Sequence, residues 1–159
     1  MRRLNSHGVS LIETLVALAI AALMAGFGAP AFHDYLVNAR LREAGNSLYA
    51  EAMLAQSEAI KRNGLVRLSI SGSTMQLADR TAEGANALMR ERVLPNAVIA
   101  DAASTLDFGS AGRPAVFGDE YRVDLSLAGV ACSAEYRCPS LRVDAGGAVR
   151  LCGNRLDCR

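Results

Sequence analysis

Residues 8–32 read GVSLIETLVALAIAALMAGFGAPAF, and this stretch decides the fold. From Thr14 to Phe32 it carries no charged side chain, and from Val9 onward its one charge is Glu13. Leu, Ala, Ile, Val and Met dominate, all compatible with a helix. At ~1.5 Å per residue the run from Val9 to Phe32 reaches roughly 36 Å, enough for a ~30 Å hydrocarbon layer. The head before it, MRRLNSHG, holds Arg2 and Arg3 and no acid. By the positive-inside rule those arginines stay on the cytoplasmic side and the rest of the chain lies across the membrane.

Three readings fit such a segment. One is a plain membrane anchor. Another is a secretory signal peptide cut at a small-residue triplet such as Ala29-Pro30-Ala31. Both leave Glu13 unexplained, because a carboxylate in an apolar helix is costly and normally has a partner or a task. The third reading uses it. The run Gly8-Val9-Ser10-Leu11-Ile12-Glu13 resembles the processing site of type IV prepilins and pseudopilins. That resemblance implies a prepilin peptidase that cuts between Gly8 and Val9 and methylates the new N-terminus. Glu13 then becomes the fifth residue and pairs with the amine of Val9 on a neighbouring subunit, which suits an open helical fibre. Val9 and Ser10 stand where Phe and Thr are commonest in the family. Gly26, Gly28 and Pro30 weaken or kink a helix, and the resemblance implies a segment that loses helicity when packed in a filament.

Beyond the apolar run, Val37, Leu41, Ala44, Leu48, Ala52, Ala55 and Ala59 form a narrow stripe at helical spacing. Arg40, Arg42, Glu43, Glu51, Glu58, Lys61 and Arg62 lie mostly off it. Asn63-Gly64 ends the helix, with basic residues in its last turn. One helix is therefore expected from about 10 to 62, its first half in lipid and its second half packed on a globular part. The run Ala55-Gln56-Ser57-Glu58-Ala59-Ile60-Lys61-Arg62, followed by Val66-Arg67-Leu68, is similar to the minor-pilin and pseudopilin subgroup of the H pseudopilin and the FimT- and FimU-like pilins. Gln56 replaces the subgroup's usual Arg.

The remainder is β-prone. Leu65–Ser71 and Thr74–Ala78 flank Ser71-Gly72-Ser73, a hairpin signal. Residues 79–94 read as a polar loop with a helical turn. Val98–Ala100, Thr105–Phe108, Ala115–Phe117 and Tyr121–Leu127 are further strand candidates, the last with clean alternation. The expected class is α+β: a long N-terminal transmembrane-to-amphipathic helix on an antiparallel sheet. The expected parts are a leader at 1–8, an assembly helix at 9–32, its amphipathic continuation at 33–63 and a periplasmic globular domain at 64–159.

Four cysteines, Cys132, Cys138, Cys152 and Cys158, lie in mirror symmetry about position 145. If Asp144-Ala145-Gly146 makes a three-residue hairpin loop with Gly146 left-handed, Val143 faces Gly147 and Cys138 faces Cys152. This favours Cys138–Cys152 and Cys132–Cys158, with the other pairings open. Structural zinc pairs come at shorter gaps, and an extracytoplasmic location suits disulfides. No metal or cofactor is expected.

The whole chain carries 17 basic and 16 acidic residues, a balance that gives no reason to expect a nucleic-acid-coating protein. It has two histidines and no Trp, no phosphate loop and no nucleophile–base pair, so an enzyme is not expected. Its mean hydropathy of +0.17 averages two unlike parts. The C-terminal segment is richer in Arg than in acid. Arg137, Arg142, Arg150 and Arg155 could hold DNA phosphates, and the resemblance includes pilins that bind DNA through a Gly-Arg-x-Arg run. Here that run reads Gly147-Ala148-Val149-Arg150, without the first arginine. The expected role is a minor pilin or pseudopilin of a type IV pilus or type II secretion pseudopilus, anchored in the bacterial inner membrane. The partners implied are the prepilin peptidase, other pilins and the inner-membrane assembly platform. DNA capture at a pilus tip is the alternative, and a plain anchored or secreted disulfide-rich domain a weaker one.

Overall fold

The computed structural model describes residues 10–81, 86–116, 118 and 120–158, with the side chains of 27–31 left out. Helix α1 spans Leu11–Arg62. Among the described residues eight strands follow: β1 Val66–Ser71, β2 Thr74–Asp79, β3 Ala87–Val93, β4 Val98–Ala100, β5 Ser104–Phe108, β6 Tyr121–Leu127, β7 Ser140–Val143 and β8 Val149–Cys152. They form two antiparallel four-stranded sheets, ordered β3-β2-β1-β5 and β4-β6-β7-β8. The chain divides into two compact units, residues 1–36 and residues 37–159.

In the first unit α1 is apolar on every side. Leu11, Ile12, Leu15, Val16, Leu18, Ile20, Leu23 and Met24 all stand exposed. The helix continues through Gly26 and Pro30. Among the described residues no helix is long and apolar enough to cross a membrane. The expected span at 9–32 includes Val9 and the side chains of 27–31, which lie outside the described residues.

The second unit is built on the alanine-rich stripe. Val37, Leu41, Ala44, Leu48, Ala52, Ala55 and Ala59 are all buried, joined by Leu68, Ile70, Leu77 and Phe108 of the first sheet. Val123, Leu125 and Leu141 of the second complete the core. Small side chains on the helix let the chain come close. At Gly45 an added Cβ would lie 2.9 Å from Pro139 Cβ. The β1–β2 hairpin turns at Gly72, whose φ of +57° suits glycine.

Three expectations are corrected. Residues 87–93 are not loop but β3, an edge strand. Its register on β2 shifts between Leu77 and Ala78, which turns Leu88 and Arg90 to opposite faces and hides any simple alternation. Ala115 and Val116 form no strand, and Phe117 lies outside the described residues. Next to β5 the chain forms an isolated bridge from Pro114 to Phe108, with the Ala115 N–H donating to the Asp107 carbonyl at 2.8 Å. Glu51 does not lie off the buried face. It is 2% exposed, because Arg90 and Arg92 of β3 reach the helix and share its Oε1 at 3.3 and 3.2 Å.

The cysteine pairing is the fourth correction. The disulfides are Cys132–Cys138 and Cys152–Cys158, each with Cα atoms 5.5 Å apart. The β7–β8 register places Val143 opposite Val149 and Cys152 opposite Ser140. The loop has three residues as expected, but they are Ala145, Gly146 and Gly147, with φ of +90° at Gly147. The side chain of Asp144 fixes this choice by accepting the Ala148 N–H at 2.9 Å. The Asp144 N–H and Ala148 carbonyl close the loop at 3.2 Å. Moving the loop one residue shifts the cross-strand register by two, which removes Cys138 from Cys152.

Candidate functional site

Two regions hold the candidate residues, and the first is the start of α1. Ser10 caps the helix: its Oγ accepts the Glu13 N–H at 3.3 Å, and its carbonyl accepts the Thr14 N–H at 3.2 Å. Ser10 and Glu13 thus stand in the Ser-x-x-Glu spacing of a capping box. An acid in the first turn also suits the positive end of the helix dipole. Glu13 is exposed, surrounded by exposed aliphatic side chains. The processing residues Gly8 and Val9 lie outside the described residues. Of the proposed helix-weakening residues, Gly26 has open space around it. The side chains of 27–31, Pro30 among them, are outside the description. The capping role of Ser10 was legible in its spacing from Glu13, a signal masked by the apolar run around it.

The second region is the outer face of the second sheet. Arg122, Arg142 and Arg150 occupy one cross-strand row, where like charges repel unless neutralised. Each has an acid. Arg122 Nε donates to Asp124 at 2.9 Å, Arg142 reaches Glu120 at 3.0 Å, and Arg150 reaches Asp144 at 3.2 Å. Arg155 pairs with Asp101. Burial raises the Asp124 carboxyl, but hydrogen bonds from Arg122 and Ser140 outweigh it and leave it below the ordinary range. The Ala148 N–H, then Arg150, hold Asp144 low as well. Arg137 is exposed, and its backbone N–H donates to Asn38 on α1. Three of the four arginines proposed for phosphate are therefore occupied by carboxylates of the same chain, and no DNA function is proposed.

A third cluster was not foreseen. Gln56 Nε2 donates to the carbonyls of Gly112 and Gly147, at 2.7 Å each. One amide thereby fastens α1 to the loop after β5 and to the β7–β8 hairpin. At Gly147 an added Cβ would lie 2.4 Å from the Gly112 carbonyl oxygen, so only glycine allows the two loops to meet there.

Residues 44–154 match the family model described as type II transport protein GspH. The chain belongs to the GspH family. Residues 3–29 match the prokaryotic N-terminal methylation motif, so this GspH-family chain is a minor pilin or pseudopilin. Its fold is similar to that of the type IV minor pilin FimU of Pseudomonas aeruginosa strain PAO1. In one crystal form the TM-score is 0.58 at 20% identity, covering 70% of this chain and 87% of FimU. In a second form it is 0.56 at 18% identity, covering 69% and 90%. No curated protein matches the chain by sequence. The family and the fold are those of structural pilin subunits. Membership implies processing by a peptidase, membrane anchoring and assembly with other pilins.

Proposed function

We propose that this GspH-family protein is a non-enzymatic fibre subunit, made as a precursor and cut between Gly8 and Val9. The parts are then a leader at 1–8, an assembly helix at 9–32, its continuation at 33–63 and a globular domain at 64–159. The helix holds the subunit in the bacterial inner membrane with the globular domain in the periplasm. The carboxylate of Glu13 pairs with the methylated amine of Val9 on the next subunit. Gly26, Gly28 and Pro30 let the helix loosen as the fibre forms. The prepilin peptidase, other pilins and the inner-membrane platform are its partners.

The supporting observation is the methylation motif lying over the start of α1, where every residue from Leu11 to Gly26, Glu13 among them, is exposed. A helix that is apolar all round needs lipid or other helices around it. A carboxylate there needs a cation, and removal of the leader creates one. Mass spectrometry of the mature protein tests the cut: an N-terminus at methylated Val9 is expected, and an intact Met1 or an end near Ala31 contradicts it. Glu13→Ala is expected to leave the protein processed but reduce its incorporation into sheared fibres at least tenfold. Immunoblots of the fibre and membrane fractions read this out, and equal incorporation would refute the pairing.

A further inference from the structure

The two disulfides sit in different surroundings. Cys138 has no exposed surface. Cys152 and Cys158 are both half-buried, and their bond lies between two openings. A cleft of about 410 Å³ is lined by both cysteines with Arg137, Asn154 and Asp157. A cavity of about 60 Å³ is lined by both with Glu120, Arg142, Asp144 and Arg150. Within this setting Arg142 is held by Glu120 through one terminal nitrogen and reaches the Cys158 carbonyl through the other. Its Nε is buried and has no hydrogen-bond partner among the described residues. A buried donor without an acceptor costs free energy. Opening the neighbouring disulfide creates an anionic acceptor in the same cavity, which the Nε–H of Arg142 can meet while its terminal nitrogens stay with Glu120 and the Cys158 carbonyl.

We propose that Cys152–Cys158 is a thiol–disulfide exchange site, opened and resealed by a partner protein bearing a redox-active dithiol, while Cys132–Cys138 stays closed. In the reducing direction a partner thiolate attacks one of the two sulfurs, forms a mixed disulfide and expels the other as a thiolate. Arg142 receives that thiolate. The partner's second thiol then displaces the remaining sulfur. Two electrons and two protons pass from the partner dithiol, which becomes a disulfide, to Cys152 and Cys158, which become thiols. Opening loosens residues 153–157, which include the turn Arg155–Asp157, while the Arg155–Asp101 pair and the bond from Asn154 to the Ser133 carbonyl keep the segment on the domain.

The test uses the full chain in detergent micelles, equilibrated across ratios of reduced to oxidised dithiothreitol, then alkylated and mapped by mass spectrometry. Equilibration matters, because exposure alone would order the rates but not the equilibrium. Cys152 and Cys158 are expected to alkylate together at a ratio at least tenfold lower than Cys132 and Cys138. Simultaneous labelling of all four, or earlier labelling of Cys132 and Cys138, overturns the proposal. In Arg142→Met the difference is expected to shrink at least threefold. In Glu120→Gln, which keeps the Nε donor, it is expected to persist. An unchanged difference in Arg142→Met overturns the role of the arginine. Should that variant not fold, loss of the difference in Glu120→Gln overturns it instead.

Discussion

Gln56 shows how one side chain can hold three parts of a fold. Gln56→Ala leaves the carbonyls of Gly112 and Gly147 without their shared donor, at a cost of about 1–3 kcal/mol. Thermal unfolding should show a lower midpoint, and an unchanged midpoint would mean that water replaces the amide at no cost. In the sequence this residue was legible only as a departure from a resembled pattern. What it touches comes from loops far along the chain, and local spacing does not report that. Tyr121 carries a second residue-scale consequence. Burial pushes its phenol from 10.0 up to about 12. A group whose folded value is raised contributes stability that is complete below the unfolded value and lost as pH climbs toward the folded one. The protein should therefore weaken between about pH 10 and about 12. Tyr121→Phe should lessen that slope in urea titrations, and equal slopes would show that another group titrates there.

Among the elements, α1 and the β1–β2 hairpin were readable because each has a single local cause. The stripe of small and aliphatic residues repeats at helical spacing, and Gly72 sits where the turn needs it. β3 was not readable. Its sequence Ala-Leu-Met-Arg-Glu-Arg-Val has no β-branched residue before Val93, and its pairing with β2 overrides that weak preference. Glu51 then binds the strand to the helix. Glu51→Gln removes the charge shared by Arg90 and Arg92 and should cost about 1–3 kcal/mol. The loss should be local. Hydrogen exchange at residues 87–93 should accelerate while β1 and β5 stay protected, and uniform acceleration would show that Glu51 supports the whole core. The β7–β8 hairpin failed for a different reason. Gly146 and Gly147 both allow a left-handed loop residue, and the Asp144 contact that chooses between them is tertiary in effect though local in sequence. The disulfide inference inherited that error.

At the level of the whole molecule, the buried hydrophobic cluster draws on residues from Val37 onward. A chain beginning at residue 34 is expected to unfold in one cooperative step by circular dichroism, and a broad, featureless melt would contradict this. The apolar run and the methylation motif were legible because each is written in consecutive residues. The outer face of the second sheet was not, since Arg142 and Arg155 are matched by acids distant in sequence, Glu120 and Asp101. One fastening reaches across nearly the full length of this unit. Asn38 donates to the Glu135 carbonyl at 2.9 Å and accepts the Arg137 N–H at 3.0 Å. Asn154 in turn donates to the Ser133 carbonyl at 2.9 Å. A ribosome delivers residue 38 well before residues 133–154. The clasp therefore closes only once that later segment has been made, and a polypeptide terminated ahead of it is left with an unlatched helix for quality-control proteases to find.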